Sequence, residues 1–296
     1  DSTVALFLSR VARQKFIHDI HGILRLQREY VKQASLKEKC YYALLLRQER
    51  YVFRSADILN VNSDEMKAYI ETHFQTRQNF VLARDGVLRD SLSPGKLPDR
   101  DRLVRDLGFS VKDRILFFAG NFKEFGGVQD LVDVFCELVQ LGLSLKLVLI
   151  GSGQMEPAVK NRISESDLHA HVAHIKKIRY DQLLAYQQVA DIIVCPDRKN
   201  GYNELIPHIK VFDSLFSRRP LIASRFPVVE ALFPESEGCI KYFEPSNQAD
   251  LKKTIRWSLD HINHFRPVSD RYIKTFFYKN IVKSLIREYK VQGIIL

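Results

Sequence analysis

The sequence predicts an α/β protein of two domains, in which short apolar strands alternate with amphipathic helices. Three observations carry this. From Ile115 to Tyr242, strand-like runs rich in Ile, Leu, Val and Phe recur, each followed by a helical pattern. Several of those runs end in glycine-containing turns, as buried parallel strands do where they feed a helix. The 296 residues, 46% of them hydrophobic, supply enough apolar material for two cores.

Taken in order, residues 2–14 read as an amphipathic helix leading into the strand Phe16–Ile20. His21 and Gly22 follow at a turn, where an imidazole can meet a ligand. Residues 25–56 form a long basic helical region. They would cover a sheet, or seat the domain on an anionic membrane surface. Residues 57–62 are a strand, Ser63 is the N-cap of a helix to Phe74, and residues 79–83 are a third strand. The stretch 88–110 concentrates Pro, Gly, Ser and Asp and reads as a linker, with a short helix near 103–107.

The second domain has the clearer rhythm. Strand 115–119 meets the turn Gly120–Gly127 and then a helix over 128–141. Strand 145–150 meets Gly151-Ser152-Gly153, and helix 155–164 follows. Strand 171–175, helix 180–188 and strand 191–195 lead to the polar loop 196–207. Helix 209–217, strand 221–223, helix 228–233 and strand 239–242 complete a mostly parallel sheet. A helix over 247–261 carries Trp257 on its inner face, and the last 30 residues are one or two amphipathic helices. The first residues already read as a helix with no strand before it, as expected of a fragment or of a domain whose opening strands lie outside this sequence.

Composition excludes several classes. Gly (13) and Pro (10) are both scarce, so the chain is neither fibrous nor largely disordered. Its four cysteines lack metal-like spacing, and Cys136 and Cys195 sit in apolar runs as buried free thiols of a reducing compartment. No run is long and apolar enough to span a bilayer, and no secretory signal is visible. A net charge of +10 suits nucleic acid, anionic lipid or phosphorylated small molecules. No long Lys/Arg block with interleaved aromatics is present, so nucleic acid is not an expected partner.

Lys210 and Asp213, three apart on one helix behind a strand and loop, can grip a single polar ligand; an ordinary surface salt bridge is the other reading. Glycine in the loops after the strands lets backbone N–H groups approach a phosphate at a helix N-terminus. The turn 120–127 is neither the dinucleotide fingerprint nor a P-loop, and Gly151-Ser152-Gly153 lacks a third glycine because Glu156 occupies its place. No G-x-S-x-G elbow occurs. His171 and His174, three apart on a strand, are not expected to form a metal pair.

Several segments together resemble the retaining GT-B-fold glycosyltransferases of the group-1 (family 4) class. In the second domain they are ILFFAG at 115–120, LVLIGSG at 147–153, VADIIVCP at 189–196 and KVFDSLFSRRPLIAS at 210–224. In the first they are IHDIHG at 17–22, SADILNVNS at 55–63 and RDGV at 84–87. The resemblance implies two Rossmann-like domains. Residues 1–100 would be an acceptor-side domain truncated at its N-terminal side. Residues 101–270 would bind the nucleotide sugar, and 271–296 would be a C-terminal helix crossing back to the first domain.

It also implies retaining transfer of a sugar to an acceptor hydroxyl in glycan or polysaccharide biosynthesis by a cytoplasmic enzyme; the basic charge of the first domain adds a peripheral place at the inner membrane face. The partners would be a UDP- or GDP-sugar donor and a glycan or lipid-linked acceptor, with no cofactor and no metal. Asp213 would accept the ribose hydroxyls. Lys210, Lys123 and the backbone of Gly120, Gly126 and Gly127 would lie beside the diphosphate. Glu204 would contact the donor sugar, and His21 would sit near the transferred group.

The chain departs from the pattern in four places. Gly126 stands where the family has lysine, Asn121 where it has arginine, and Arg219 where it has glycine. Eight residues, one more than usual, separate Glu204 from Asp213. Either another basic residue serves the phosphate or donor binding is weak. The alternative is a catalytically lapsed binding or scaffolding protein of the same fold.

Overall fold

A computed structural model of the chain describes residues 2–26, 35–76, 78–87 and 99–294. The chain divides into two compact units, residues 1–86 with 204–207 and 278–296, and residues 87–203 with 208–277. Much of the expected linker, 88–98, lies outside the described residues, as does 27–34 of the expected long basic helix.

The first unit opens with α1 (Ser2–Val11), β1 (Ile17–Asp19), α2 (Leu36–Ser55), β2 (Ile58–Val61), α3 (Asp64–Phe74) and β3 (Asn79–Leu82). Its three strands form a parallel sheet in the order β1-β2-β3. Helix α2 begins at Leu36 because Ser35 and Glu38 close a reciprocal capping box, a pattern the sequence itself carries. Residues 24–26 form a separate 3-10 turn, so the helix expected over 25–56 is shorter. Ser63 caps α3 as expected, its hydroxyl accepting from the Met66 amide at 3.0 Å.

The second unit contains α4 (Arg100–Asp106), β4 (Arg114–Ala119), α5 (Val128–Gln140), β5 (Leu145–Ile150), α6 (Glu156–Glu165), β6 (Val172–Ile175), α7 (Tyr180–Gln187), β7 (Ile192–Cys195), α8 (Ile209–Phe216), β8 (Leu221–Ser224), α9 (Pro227–Glu230), β9 (Ile240–Phe243), α10 (Gln248–Asp260) and α11 (Asp270–Ile273). Helix α12 (Tyr278–Val291) belongs to the first unit and packs beside β3.

All six strands of the second sheet run parallel, in the order β6-β5-β4-β7-β8-β9. Alternation along each strand divides its side chains between two cores. Ile115 and Phe117 of β4 join Val211, Phe212 and Leu215 of α8 on one face. Leu116 and Phe118 join Leu131, Val134 and Phe135 of α5 on the other. Burial on both faces explains why these strands read as continuous apolar runs.

Cys136, Cys195 and Cys239 are buried free thiols and Cys40 is an exposed one; burial pushes the Cys195 thiol up to about 12. Trp257 was expected on the inner face of its helix. It is half-buried, with its ring stacked on His261 at 4.5 Å and the Lys241 ammonium 4.6 Å from its centroid, so it lies at the edge of the core. Among the described residues, no helix is long and apolar enough to cross a membrane.

Candidate functional site

In the second sheet the winding direction reverses between β4 and β7, which are neighbours. The carboxyl end of the strands where the order reverses is the usual ligand position in an open α/β sheet. The turn Gly120–Gly127 leaves β4 and the loop 196–208 leaves β7. Beside them, residues 151–155 leave β5.

Glycines let these three loops pack backbone to backbone. A Cβ on Gly127, whose φ is +68°, would stand 1.7 Å from the Pro196 carbonyl oxygen. One on Gly151 would stand 1.9 Å from the Gly120 oxygen. Hydrogen bonds then fasten the loops. The Phe122 amide donates to Ser152 O at 3.0 Å, Met155 N to Phe122 O at 2.8 Å, and Arg198 N to Phe125 O at 2.9 Å. Fully buried Asn203 donates through Nδ2 to Phe125 O at 3.0 Å and to Arg198 O at 2.7 Å. Its Oδ1 lies 2.7 Å from His208 Nε2, which donates to it; burial holds this imidazole below its ordinary pKa, in the neutral form. Arg198 grips Asp130 of α5 with two bonds of 2.6 and 2.7 Å.

Lys210 and Asp213 stand at this edge without pairing with each other. The Lys210 ammonium donates to Asp197 Oδ1 at 2.6 Å, and the two side chains are 19% and 4% exposed. It also sits 5.3 Å from the Phe118 ring centroid. Its Cδ lies 3.8 Å from where a Gly120 Cβ would be, which places the lysine stem against the start of the glycine turn. Asp213 Oδ1 accepts from the Tyr180 hydroxyl at 2.6 Å, and burial raises its carboxyl to about 6. The surface salt bridge is therefore not the arrangement adopted.

Lys123 is exposed on the glycine turn, its ammonium 5.3 Å from the Phe125 ring centroid. Lys123, Lys210 and Asp197 all act electrostatically on His208, so their charges share one neighbourhood. Gly126 is buried in the 3-10 turn Glu124–Gly126, and α5 begins directly after Gly127. Six of the expected residues thus stand along one edge: Gly120, Lys123, Gly126, Gly127, Lys210 and Asp213.

The other two belong to the first unit. Glu204 lies in the segment 204–207 that groups with it. His21 is exposed just past β1 and donates from Nε2 to Asp19 Oδ2 at 2.9 Å. The sequence reading missed Asp197, Tyr180, Asn203 and His208. An acid directly after the apolar strand and proline at 192–196 was a usable signal for Asp197. Tyr180, 33 residues from Asp213, gave none. His171 and His174 bond to backbone carbonyls, at Leu145 and Gly151. Among the described residues, no group of three or more His, Cys, Asp or Glu could hold a metal ion.

Comparison with known proteins agrees with this architecture. The chain is 25% identical over 239 residues to a D-inositol 3-phosphate glycosyltransferase of Corynebacterium efficiens, covering 75% of this chain and 55% of that protein. It thus spans little more than half the length of this curated relative. Sucrose-phosphate synthase from Thermosynechococcus elongatus superposes with a TM-score of 0.75 at 16% identity, over 98% of this chain and 72% of that one. Anabaena HepE, solved in complex with UDP-glucose, gives 0.75 at 13% identity, over 99% and 76%. These likenesses show an α/β fold of the GT-B kind. The model of the family described as glycosyl transferases group 1 matches residues 99–265, more than half of the chain, and the chain belongs to that family.

Proposed function

We propose that the chain is a nucleotide-sugar-dependent glycosyltransferase whose donor seats on the carboxyl edge of the second sheet. One observation carries this reading. A half-buried acid and a half-buried lysine lie on α8 at the strand-order reversal, beside a glycine turn that opens the N-terminus of α5. Asp213 accepts the ribose hydroxyls, replacing the Tyr180 hydroxyl as its partner. The N-termini of α5 and α8 offer backbone N–H groups and partial positive charge to the diphosphate, and Lys123 and Lys210 add full charges. These groups offset the charge that grows on the leaving nucleotide diphosphate.

In the transfer, the acceptor oxygen bonds to the anomeric carbon on the face that the diphosphate leaves, with retention of configuration. As the new carbon–oxygen bond forms, the bond from the anomeric carbon to the diphosphate breaks, and the acceptor's hydroxyl proton passes to the departing diphosphate oxygen. Glu204 and His21 are the candidates for contact with the transferred sugar. The donor is a UDP- or GDP-sugar and the acceptor a glycan or lipid-linked hydroxyl.

Calorimetry with UDP, GDP and their sugars tests the site. One nucleotide should bind, and Asp213→Ala should weaken it about tenfold or more, the loss expected for hydrogen bonds to a charged group. Unchanged affinity in that variant, or no binding by any nucleotide, sinks the assignment. Donor binding without transfer to any glycan acceptor would select the lapsed, scaffolding reading. The engagement of Lys210 by Asp197 is the feature that favours that alternative.

We also assign the first unit a peripheral contact with anionic lipid at the cytoplasmic face. Val4, Phe7, Leu8 and Val11 of α1 are exposed at helical spacing; of the basic residues near them in sequence, Arg13 follows the helix, while Arg10 and Lys15 pair with Asp57. Co-sedimentation with phosphatidylserine vesicles should fall as salt rises. No binding at low salt would remove this part.

A further inference from the structure

Between α2 and α3 of the first unit lies a cleft of about 320 Å³, at the lower end of the range that holds small molecules. Arg47, Glu49 and Arg50 of α2 line it, together with Arg25 of the 3-10 turn 24–26 and with His73 and Phe74. The last two form the final turn of α3, which runs to the start of β3, so the cleft reaches toward the amino end of the strands. It contains none of the residues assigned above to the donor or to the transferred sugar.

Charge in the cleft is unbalanced. Three arginines and one glutamate line it, and the glutamate is spent elsewhere. Glu49 Oε1 accepts from the Leu24 amide at 2.6 Å. Burial raises its carboxyl, while the Leu24 and Arg25 amides and the Arg25 charge pull it back. No ion pair or side-chain hydrogen bond joins Arg47 or Arg50 to another described residue. Standing three apart on one helix, these two like charges repel each other without compensation. Arg54, one turn beyond Arg50, behaves differently: its Nε donates to Phe74 O at 2.7 Å. That bond covers the carboxyl end of α3, whose partial negative charge would otherwise repel an anion. His73 Nδ1 donates to Tyr69 O at 2.9 Å and its ring stacks on Tyr69, which holds the imidazole in place at the cleft wall.

Unpaired guanidiniums at a cleft suit an oxyanion that takes two N–H bonds from a planar fork. A carboxylate brings two oxygens and one charge. A phosphate monoester brings three oxygens and about −1.5 to −2 charges at pH 7. Three arginines against one glutamate leave an excess of two positive charges, which matches the monoester.

We propose that the cleft between α2 and α3 binds a phosphate monoester, whose oxygens accept from the guanidiniums of Arg25, Arg47 and Arg50. The monoester is carried by a soluble molecule or by a lipid headgroup, and the chemistry recognised is the same. The site does not rest on the function proposed above.

Calorimetry on the full chain at constant ionic strength compares glycerol 3-phosphate with acetate. The ester should fill one saturable site, about tenfold or more tightly than acetate. The double variant Arg47→Gln/Arg50→Gln should weaken it about tenfold or more. Lys112→Gln/Arg256→Gln, which removes two charges from exposed residues of the second unit, should change it less than about twofold. Excess UDP-glucose should not displace the ester. Each single arginine variant carries the same test should the double variant fail to fold. Co-sedimentation with phosphatidic acid and with phosphatidylserine vesicles separates the two sources. A preference for phosphatidic acid that the arginine variant loses identifies a headgroup; ester binding without that preference identifies a soluble ligand. No saturable binding in either arm, equal losses in the two double variants, acetate binding as tight as the ester, or displacement by UDP-glucose would overturn the proposal. Failure of UDP-glucose to bind the unaltered chain would count against the donor site alone.

Discussion

Each unit ends its parallel strands in polar loops, but the two carboxyl edges are built differently. In the second unit the loops are clamped: glycines let backbone touch backbone, and Asn203, His208 and Arg198 spend their polar atoms on neighbouring loops. In the first, strands of three or four residues bring Asn60 and Asn62 together with their acceptor oxygens unspent. The difference teaches that a parallel sheet can finish its carboxyl edge in two ways. One preorganises the backbone around a charged group. The other leaves two buried side-chain acceptors without a protein partner.

The largest effect should come from breaking the buried pair of the second edge. Lys210→Met leaves Asp197 buried without its counter-ion and should cost about 3–5 kcal/mol in urea unfolding. Adding Asp197→Asn should restore most of that loss. A cost below about 1 kcal/mol would mean that the pair does not hold the edge.

Gly127→Ala should cost about 3 kcal/mol or more, because φ is +68° and Pro196 O occupies the space of the new Cβ. Gly142→Ala, at φ +89° but in open space, should cost only about 1 kcal/mol. Equal losses would show that backbone conformation, rather than loop clamping, sets the requirement.

A third comparison sets amide against amide. Asn203→Leu strands Phe125 O, Arg198 O and the His208 ring and should cost about 1–3 kcal/mol. Asn62→Leu removes an unpaired acceptor and only a long 3.4 Å bond to Asp85, so it should cost less than about 1 kcal/mol. Similar costs at both positions would erase the contrast between the edges.

The smallest effect is electrostatic. Burial raises the Asp213 carboxyl from the ordinary 3.8 to about 6, so between these values the folded chain binds more protons than the unfolded one. Stability therefore falls as pH rises through that window and levels off above about 6. Asp213→Asn should stabilise the protein by roughly 1–2 kcal/mol at pH 8, with the gain vanishing as pH drops toward the ordinary aspartate value. A gain independent of pH would place its origin in packing rather than charge.

Local signals were legible where a residue's own neighbours in sequence decide its conformation. Ser63 was recognised as a cap, and the strands of the second sheet were placed within a residue or two, because each is a continuous apolar run between turn residues. The Ser35–Glu38 box was equally legible and was overlooked. Helical periodicity assigned Trp257 a face but not its depth, since Lys241 and His261 decide how far the ring is covered.

By itself the sequence determined the α/β class, the order of the elements and the segments that carry the family likeness. All of these follow from periodicity and short-range pairing. Only the tertiary structure decided that Lys210 would pair with Asp197 and Asp213 with Tyr180, since spacing on a helix states who is adjacent and not who is desolvated together. It alone brought Asn60, Asn62 and Asp85 to one edge, because register between parallel strands is fixed by contacts across the sheet, and no single strand contains them.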